Sequence, residues 1–321
     1  MSMHIQEPGL FSLVQDLGRW GHQSEGVTVS DPMDGFSLRI GNAMLGNDEN
    51  AAALEILLYG PEAVFQKDCC IVATGGDLGL TINSAPVDAW QVHRIRTGDR
   101  VLLTGVTGDG CRAYLCVSGG FDVPLVMGSR ATYTKAKLGG FNGRALQAGD
   151  VLPMGEAAPG WDKAEGLVCP EAFRGTRYRH EPLYAMDGPQ VDAFSEEGIA
   201  VFYSEPYVVT DEIDRMGYRL DGPEIARVKG ADIVSDGIAF GTVQVPGNGK
   251  PIVLLSDRQS TGGYTKIAVV SSWSAAQLAQ KLPGETVRFQ RVAEKDAVAL
   301  LQRFEDNLRA LRSAYDAHIA G

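Results

Sequence analysis

Short apolar runs that alternate with glycine-rich turns recur along the chain, and this feature constrains the fold more than any other. Glycine supplies 39 of the 321 residues, about 12% where ~7% is usual. Because glycine adopts the backbone conformations that close tight turns, the pattern predicts a mostly β protein. The clearest predicted strands are residues 112–118, 251–257, 267–271 and 286–292.

Helical spacing is confined to three places. Residues 34–46 and 274–281 carry apolar side chains at helical intervals, and both runs are short. Residues 293–319 differ, because they contain neither glycine nor proline. Apolar residues recur there every three or four positions, at Ala297, Leu301, Phe304, Leu308, Leu311 and Tyr315. The tail therefore predicts one long amphipathic C-terminal helix.

Two parts of the sequence resemble each other. Gly108-Asp109-Gly110 and Gly247-Asn248-Gly249 each precede an apolar strand and then a glycine pair, Gly119-Gly120 or Gly262-Gly263. Further along the chain, Gly149 and Gly284 also correspond. Their separation in the sequence is nearly equal to that between the first glycines of the two motifs. This favours two copies of one β unit, although glycine-rich turns also recur by chance in β proteins.

The least structured stretch between the two copies is residues 156–181. It contains proline, glycine and a basic cluster at Arg174, Arg177 and Arg179, and such a composition is typical of a linker. The predicted domains are residues 1–165, 166–292 and 293–321.

Charge and cysteine usage limit the function classes. There are 29 Lys plus Arg against 40 Asp plus Glu, which gives a net charge of −11, and this acidity disfavours nucleic acid and anionic membranes as partners. No signal peptide or run of ~18 apolar residues is present, so we expect a cytoplasmic chain. The spacing of the five cysteines fits neither a disulfide framework nor a metal site. They are Cys69, Cys70, Cys111, Cys116 and Cys169.

Familiar catalytic patterns are missing. Gly249-Lys250 is followed by Pro251, so no Walker-type phosphate loop exists. The five histidines are scattered and no G-x-S-x-G elbow occurs, so we predict no metal site and no serine nucleophile of that kind.

Two segments combine polar and charged residues between apolar strands. The first is residues 8–19 with 30–34, and the second runs from 241–247 through 257–264. In the second, Asp257, Arg258 and Gln259 lie at a strand end before two glycines, an arrangement that suits a planar amide or ureido ligand. A solvated surface turn explains the same residues equally well.

Several motifs follow one another in a recognisable order. They are Pro8-Gly9-Leu10, Pro32-Met33-Asp34, Ser118-Gly119-Gly120-Phe121, Gly188-Pro189-Gln190 and Asp214-Arg215-Met216-Gly217. With them, residues 5–292 resemble the biotin-dependent carboxyltransferase family, also called allophanate hydrolase subunit 2 or KipA. The resemblance implies two cyclophilin-like β-barrel domains, with short helices and the long C-terminal helix in addition.

The resemblance also implies partners and a substrate class. Family members work with a smaller companion of the KipI or allophanate hydrolase subunit 1 type, and we expect a separate companion because the chain corresponds to the larger component alone. The preferred expectation is the C-type subunit of a bacterial ATP-dependent 5-oxoprolinase, which with the companion and a third subunit opens the 5-oxoproline lactam to glutamate. One alternative is the carboxyltransferase of a biotin-dependent urea carboxylase. Another is a non-catalytic regulator that binds a KipI-type kinase inhibitor.

Site roles follow from the resemblance and from side-chain chemistry. Arg258 is the candidate for pairing with a phosphate or a substrate carboxylate, and Asp257 is the candidate base or positioning carboxylate. Gln244 is assigned to the same catalytic group and would orient the substrate. The other orienting residues would be Gln259, Thr261 and Tyr264. Candidates for a second wall or a companion interface are Gln15, Asp16, Arg19, Ser30 and Asp34.

One departure from the family pattern bears on this site. Asp31 stands where glycine is usual before Pro32-Met33-Asp34. It adds a charge beside the predicted site, or it caps the short helix that Pro32 begins; we favour the cap.

Overall fold

The computed structural model describes residues 2–174 and 181–320, so Arg177 and Arg179 of the predicted linker lie outside the described residues. The strands in chain order are β1 (Ser2–Glu7), β2 (Phe11–Gln15), β3 (Ala53–Leu57), β4 (Glu62–Phe65), β5 (Cys69–Gly75), β6 (Leu80–Ile82), β7 (Ala85–Pro86), β8 (His93–Ile95), β9 (Arg100–Leu103), β10 (Arg112–Val117), β11 (Val151–Pro153), β12 (Leu183–Asp187), β13 (Tyr207–Ile213), β14 (Gly217–Asp221), β15 (Asp232–Gly237), β16 (Thr242–Gln244), β17 (Ile252–Leu254), β18 (Thr261–Tyr264), β19 (Lys266–Val270), β20 (Thr286–Val287) and β21 (Phe289–Arg291).

The α-helices are few. They are α1 (Gly35–Met44), α2 (Glu196–Ser204), α3 (Ser272–Leu278) and α4 (Glu294–Ala320). Short 3-10 turns occur at Gln23–Glu25, Thr134–Ala136, Trp161–Ala164, Glu171–Phe173 and Val191–Ala193. The predicted strands correspond to β10, β17, β19 and the pair β20 and β21, and the predicted helices to α1, α3 and α4. The mostly β class with short helices and a long C-terminal helix is confirmed.

The chain folds into two compact units. The first comprises Met1–Arg19, Asp34–Arg177 and Phe304–Gly321, and the second comprises Trp20–Met33 and Tyr178–Arg303. Each unit draws on segments that are far apart in the sequence, whereas the domains predicted above are consecutive. Those boundaries stay a prediction.

The first unit is built on two antiparallel sheets. Their strand orders are β11-β1-β4-β9-β6-β7 and β2-β3-β10-β5-β8. Ile5 and Phe65 from the first sheet share one core with Leu54 and Ile71 from the second. The two sheets therefore pack face to face, and burial of these apolar side chains is the main favourable contribution to folding.

Helix α1 begins later than the Pro32 start predicted above. Its N-cap is Asp34, whose carboxylate accepts hydrogen bonds from the Ser37 backbone N at 3.1 Å and from Ser37 Oγ at 2.7 Å. Because Gly35 is the first helical residue, the N-cap position falls on Asp34. The prediction that Asp31 caps the helix is therefore wrong.

The amphipathic tail forms α4, as the spacing predicts. Its last part packs in the first unit, where Phe304 meets Phe36 edge-to-face with ring centroids 4.5 Å apart. Arg39 Nη1 donates to Glu305 Oε1 at 2.7 Å, which ties α1 to the same turn of α4. In the part of the chain that the structure describes, no helix is both long and apolar enough to cross a bilayer.

The second unit is an eight-stranded sheet in the order β20-β13-β14-β17-β16-β19-β12-β21. Its two edge strands, β20 and β21, are separated in the chain by the single residue Arg288. One residue spans only ~3.5 Å, so the edges must lie side by side and the sheet curls into a nearly closed barrel. Closure of this kind leaves few unpaired strand edges.

A two-stranded ribbon, β15 with β18, accompanies this barrel. The two strands pair antiparallel, with Asp236 opposite Gly262 and Gly237 opposite Thr261. Most of β15 is exposed. We refer to β15 and β18 together as the ribbon.

The sequence echo has a partial counterpart in the structure. Gly149 and Gly284 have φ angles of 87° and 88°, and their N–H groups donate to the carbonyls of Ile5 at 2.9 Å and Val209 at 2.8 Å. The same two strand residues also donate in return. Ile5 N–H donates to the carbonyl of Asp150, the residue after Gly149, and Val209 N–H donates to the carbonyl of Glu285, the residue after Gly284, both at 2.9 Å. This shared hydrogen-bond pattern supports a duplicated β unit.

The double glycines, in contrast, do not correspond. Gly119 and Gly120 form a turn in which both have positive φ angles. Gly262 and Gly263 lie within strand β18. The sequence match at these two positions does not extend to local structure.

Candidate functional site

A buried ion pair forms the base of the candidate site in the second unit. Arg215 Nε donates to Asp257 Oδ2, and Arg215 Nη2 donates to Asp257 Oδ1, both at 3.2 Å. The Asp257 backbone N–H also donates to the Arg215 carbonyl at 2.7 Å. Only 5% of the Arg215 side chain and 3% of the Asp257 side chain are exposed. This two-pronged geometry fixes the Asp257 carboxylate in one orientation, which fits a positioning role better than that of a mobile base.

Arg258 follows directly and is also buried, at 6% exposure. Its Nε donates to the Ile238 carbonyl at 3.3 Å and its Nη1 to the Leu255 carbonyl at 3.2 Å. The guanidinium lies over the Phe240 ring, 5.6 Å from the centroid. Its Nη2 has no hydrogen-bond partner among the described residues. Burial lowers the pKa of Arg258, and the nearby carboxylates of Asp31 and Asp257 partly oppose that shift.

The segment with Ser30 and Asp31 lies against the same cluster. Ser30 N donates to the Ser256 carbonyl at 3.2 Å, and Arg215 Nη2 donates to the Asp31 carbonyl at 2.7 Å. Burial raises the pKa of Asp31 from 3.8 to about 6, even though the charges of Arg258 and Arg215 act in the opposite direction. Asp31 thus adds a titratable carboxyl beside Arg258.

Several buried polar atoms in this unit lack a hydrogen-bond partner among the described residues. They are Ser30 Oγ, Asp31 Oδ1, Ser256 Oγ, Thr265 Oγ1 and Gln244 Nε2. Because an unpaired buried polar group costs about 1–3 kcal/mol, such a group is a natural contact for a polar ligand or water.

A cavity of about 360 Å³ lies beside Gln244. Its wall includes Gln259, Tyr264 and Met216, and the last is the neighbour of Arg215 in the chain. The acidic side chains that line it are Asp211, Glu212 and Asp214. The cavity is therefore small, carries amide groups and holds more carboxylates than cations.

The structure places most of the predicted second-unit residues in two groups. Gln244, Gln259 and Tyr264 line the cavity, and Ser30, Asp257 and Arg258 belong to the buried cluster. Thr261 is exposed in β18 and is not part of the cavity wall. The roles assigned to these residues stay predictions.

The other predicted residues belong to the first unit and maintain its internal structure. Gln15 Nε2 donates to the Thr132 carbonyl at 3.2 Å. Asp16 accepts from Ser129 Oγ at 2.6 Å, and Arg19, fully buried, donates to the Ala131 carbonyl at 2.8 Å. Asp34 is the N-cap of α1. In the first unit these four side chains are used to hold loops and a helix in place.

Sequence reasoning did not single out two residues that the structure places at this site. Arg215 lies in a motif that carries the family resemblance, so a signal for it was present. Lys266 gave no signal in the sequence, because its register next to Gln244 across β16 and β19 becomes visible only when the strands pair.

The arrangement can stabilise negative charge on a small planar ligand. The buried and fixed guanidinium of Arg258 acts strongly on charge that develops at a carbonyl oxygen placed beside it. The Asp31 carboxyl, with a pKa of about 6, is suited to exchange a proton near neutral pH.

Thiolate chemistry is not supported at this site. All five cysteines are buried free thiols, and burial raises the pKa of Cys70 and of Cys169 to about 12.

Within residues 2–174 and 181–320, no group of three or more His, Cys, Asp or Glu side chains could hold a metal ion.

Comparison with known proteins links this chain to one family. The sequence model described as carboxyltransferase domain, subdomain A and B, matches residues 25–291. The chain is 34% identical to the C-type subunit of the Haemophilus influenzae 5-oxoprolinase over 303 residues, which cover 94% of this chain and 95% of the relative. It is 35% identical to the protein of the same name from Escherichia coli over 301 residues, 94% of each.

Fungal enzymes share the same region. A urea amidolyase of Lachancea kluyveri is 31% identical over 307 residues, which cover 90% of this chain and 17% of that protein. The solved Kluyveromyces lactis urea carboxylase matches with a TM-score of 0.89 and 29% identity, over 97% of this chain and 29% of that one. The chain thus spans less than a third of the solved urea carboxylase. On these matches, the chain belongs to the carboxyltransferase family with subdomains A and B.

Proposed function

We propose that this chain is a subunit of an ATP-dependent 5-oxoprolinase complex that opens the 5-oxoproline lactam to glutamate. The observation that carries the proposal is the match to the C-type 5-oxoprolinase subunit of Haemophilus influenzae over 94% of this chain and 95% of the relative. Its companions would be a KipI or allophanate hydrolase subunit 1-type protein and a third subunit. The buried free thiols support a cytoplasmic location, where cysteines stay reduced.

The residues of the second unit suit the slow step of this reaction. A lactam is an amide, so its carbonyl resists attack until charge on the oxygen is stabilised. Arg258 provides the fixed positive charge for this oxygen, and Gln244, whose amide N–H lacks a partner among the described residues, orients the substrate. Asp257 and Arg215 hold the loop that carries Arg258 in place. ATP is the co-substrate of the complex and supplies the driving force for opening the ring.

A second candidate is the carboxyltransferase step of a biotin-dependent urea carboxylase. The fold match to the Kluyveromyces lactis urea carboxylase supports it. The acidic lining of the cavity, with Asp211, Glu212 and Asp214, also favours a neutral amide such as urea over an anion. In this reading biotin would be the cofactor, and ATP would not be needed for the transfer step.

The test is glutamate release from 5-oxoproline by the reconstituted complex, with and without this chain. We expect ATP-dependent release only when the chain is present. Arg258→Ala should lower kcat/KM by about 100-fold or more. Arg227→Ala serves as the matched control, because Arg227 also donates to backbone carbonyls in this unit, those of Val245 and Pro246.

The outcomes separate the candidate functions. Full activity without the chain, or with Arg258→Ala, would contradict the proposal. Transfer of a carboxyl group from carboxybiotin to urea would establish the second candidate. Binding of the companion without turnover of either substrate would point to the regulatory alternative.

A further inference from the structure

Lys266 is a buried lysine whose hydrogen bonding is incomplete. Only 2% of its side chain is exposed. Its Nζ donates to Asp236 Oδ2 at 2.8 Å, and no other acceptor for it occurs among the described residues. A lysine ammonium has three N–H donors, so two of them have no acceptor there.

Gln244 is the direct neighbour of Lys266 across strands β16 and β19. Val243 and Ile267, the adjacent residues in the two strands, belong to the barrel core. Since side chains alternate between the faces of a sheet, Gln244 projects from the outer face. Lys266 projects there too, because its Nζ reaches Asp236 of the ribbon. Gln244 Nε2 is buried without an acceptor, so two neighbouring side chains have unused donors.

The ribbon covers this pair of donors. Asp236 lies opposite Gly262 in the ribbon, and a Cβ at Gly262 would lie 2.7 Å from Gln244 Nε2. The ribbon backbone therefore approaches Gln244 at Gly262, while the ribbon carboxylate of Asp236 reaches Lys266.

The two partners of the Lys266–Asp236 ion pair differ in exposure, and this difference permits exchange of the carboxylate. The Asp236 side chain is 55% exposed, so the carboxylate regains most of its hydration when it leaves. The buried ammonium, in contrast, is strongly disfavoured without a counter-charge. Another carboxylate that enters beneath the ribbon can therefore take the place of Asp236.

We propose that Lys266 and Gln244 form the donor pair that binds the carboxylate of the substrate, with Lys266 exchanging Asp236 for it. This inference rests on the proposed function, because 5-oxoproline is a lactam that bears a carboxylate. The lactam ring then lies toward the cavity beside Gln244.

The charges around the cavity explain why an anionic substrate needs a buried cation there. Asp211, Glu212 and Asp214 line the wall, and Arg219 is engaged with Glu212, with Nε to Oε2 at 2.9 Å. An anionic substrate is repelled by these carboxylates unless a fixed cation compensates. Lys266 supplies that cation on the adjoining face.

The experiment compares 5-oxoproline with 2-pyrrolidinone, the same lactam without the carboxylate. Both are measured as substrates of the complex and as ligands of the full chain by calorimetry. Lys266→Gln should raise KM and Kd for 5-oxoproline by about 10- to 100-fold and leave those for 2-pyrrolidinone unchanged. Lys281→Gln is the matched control, because Lys281 is also buried and paired with one carboxylate, Glu285, at 3.5 Å.

A second variant keeps the test independent of folding. Asp236→Asn removes the competing carboxylate from an exposed position and should tighten binding of 5-oxoproline. Equal effects of Lys266→Gln on both lactams, weaker binding in Asp236→Asn, or no binding of 5-oxoproline to the wild-type chain would overturn the inference.

Failure of the inference and failure of the proposed function remain distinguishable. Turnover of 5-oxoproline by the wild-type complex, with no selective effect of Lys266→Gln, overturns the inference alone. Selective loss of 5-oxoproline binding in Lys266→Gln, with no turnover by the wild-type complex, supports the inference and overturns the function.

Discussion

At the scale of single residues, Asp31 is the most informative side chain. It occupies a position where the resemblance leads one to expect glycine, and its carboxyl lies among Arg258, Arg215 and Asp257. Burial dominates over the two arginines, so the pKa of Asp31 is raised to about 6. Ionisation of Asp31 therefore adds a negative charge beside the two arginines.

The raised pKa predicts a pH-dependent contribution to stability. The folded protein binds a proton at Asp31 more tightly than the unfolded chain, so this contribution is complete below pH 3.8 and is lost as the pH rises through about 6. Asp31→Asn removes the buried charge and should raise the free energy of unfolding above pH 6, by at most about 3 kcal/mol. Urea unfolding between pH 4 and 8 measures the effect.

A control of opposite sign is available at Asp150. Arg144 holds the pKa of Asp150 below its usual range through hydrogen bonds at 2.7 and 2.8 Å. Asp150→Asn should therefore lower stability at neutral pH. A wild-type stability curve that rises with pH between 4 and 6, and rises equally in Asp31→Asn, would contradict the assignment of the raised pKa to Asp31.

At the scale of elements, the ribbon approaches Gln244 closely at one glycine, Gly262. A Cβ at Gly262 would lie 2.5 Å from Ile238 Cδ1 and 2.7 Å from Gln244 Nε2, whereas a Cβ at Gly263 would find its nearest atom at 3.4 Å. Adjacent glycines of the same strand therefore have different packing requirements.

Gly262→Ala should displace the Gln244 amide, because the added Cβ would lie 2.7 Å from Gln244 Nε2 and that side-chain end can move. Displacements of about 1 Å at a site can reduce rates by ~100-fold. We therefore expect kcat/KM of the complex to fall by roughly 10- to 100-fold. Gly263→Ala should remain near wild type. Steady-state kinetics of the two variants measures the effect. Equal losses of kcat/KM in both variants would show that the contact at Gly262 is unimportant.

At the scale of the whole molecule, the five thiols report on the integrity of the first unit, which contains all of them. All of them are buried and free, and burial raises the pKa of Cys69 and Cys116 well above that of an ordinary thiol. Reaction with a disulfide reagent requires an exposed thiolate. Ellman's reagent should thus modify all five thiols in urea and essentially none in the native protein. Rapid modification without denaturant would contradict the burial.

Local patterns in the sequence were sufficient for α1, α3 and α4 and for the strands named at the outset, whereas α2 (Glu196–Ser204) was not predicted. The 3.6-residue period from Ala297 to Tyr315 predicts α4, because one apolar stripe with charges between is stable only as an amphipathic helix. The apolar runs at β10 and β19 predict strands for a similar reason. The N-cap of α1 was misplaced, because both Asp31 and Asp34 fit the local pattern and only the backbone geometry at Gly35 selects between them.

The candidate site was predicted in part. Asp257, Arg258 and Gln244 were named from a segment that is continuous or nearly continuous in sequence, and the structure finds the first two buried together. The ion partner Arg215 comes from the turn between β13 and β14, and the neighbour Lys266 comes from β19. The chain by itself determined which segments become strands and helices, because those choices depend on neighbours a few residues away. Tertiary structure alone decided which charges meet, since strand pairing brings together side chains that sequence distance does not relate.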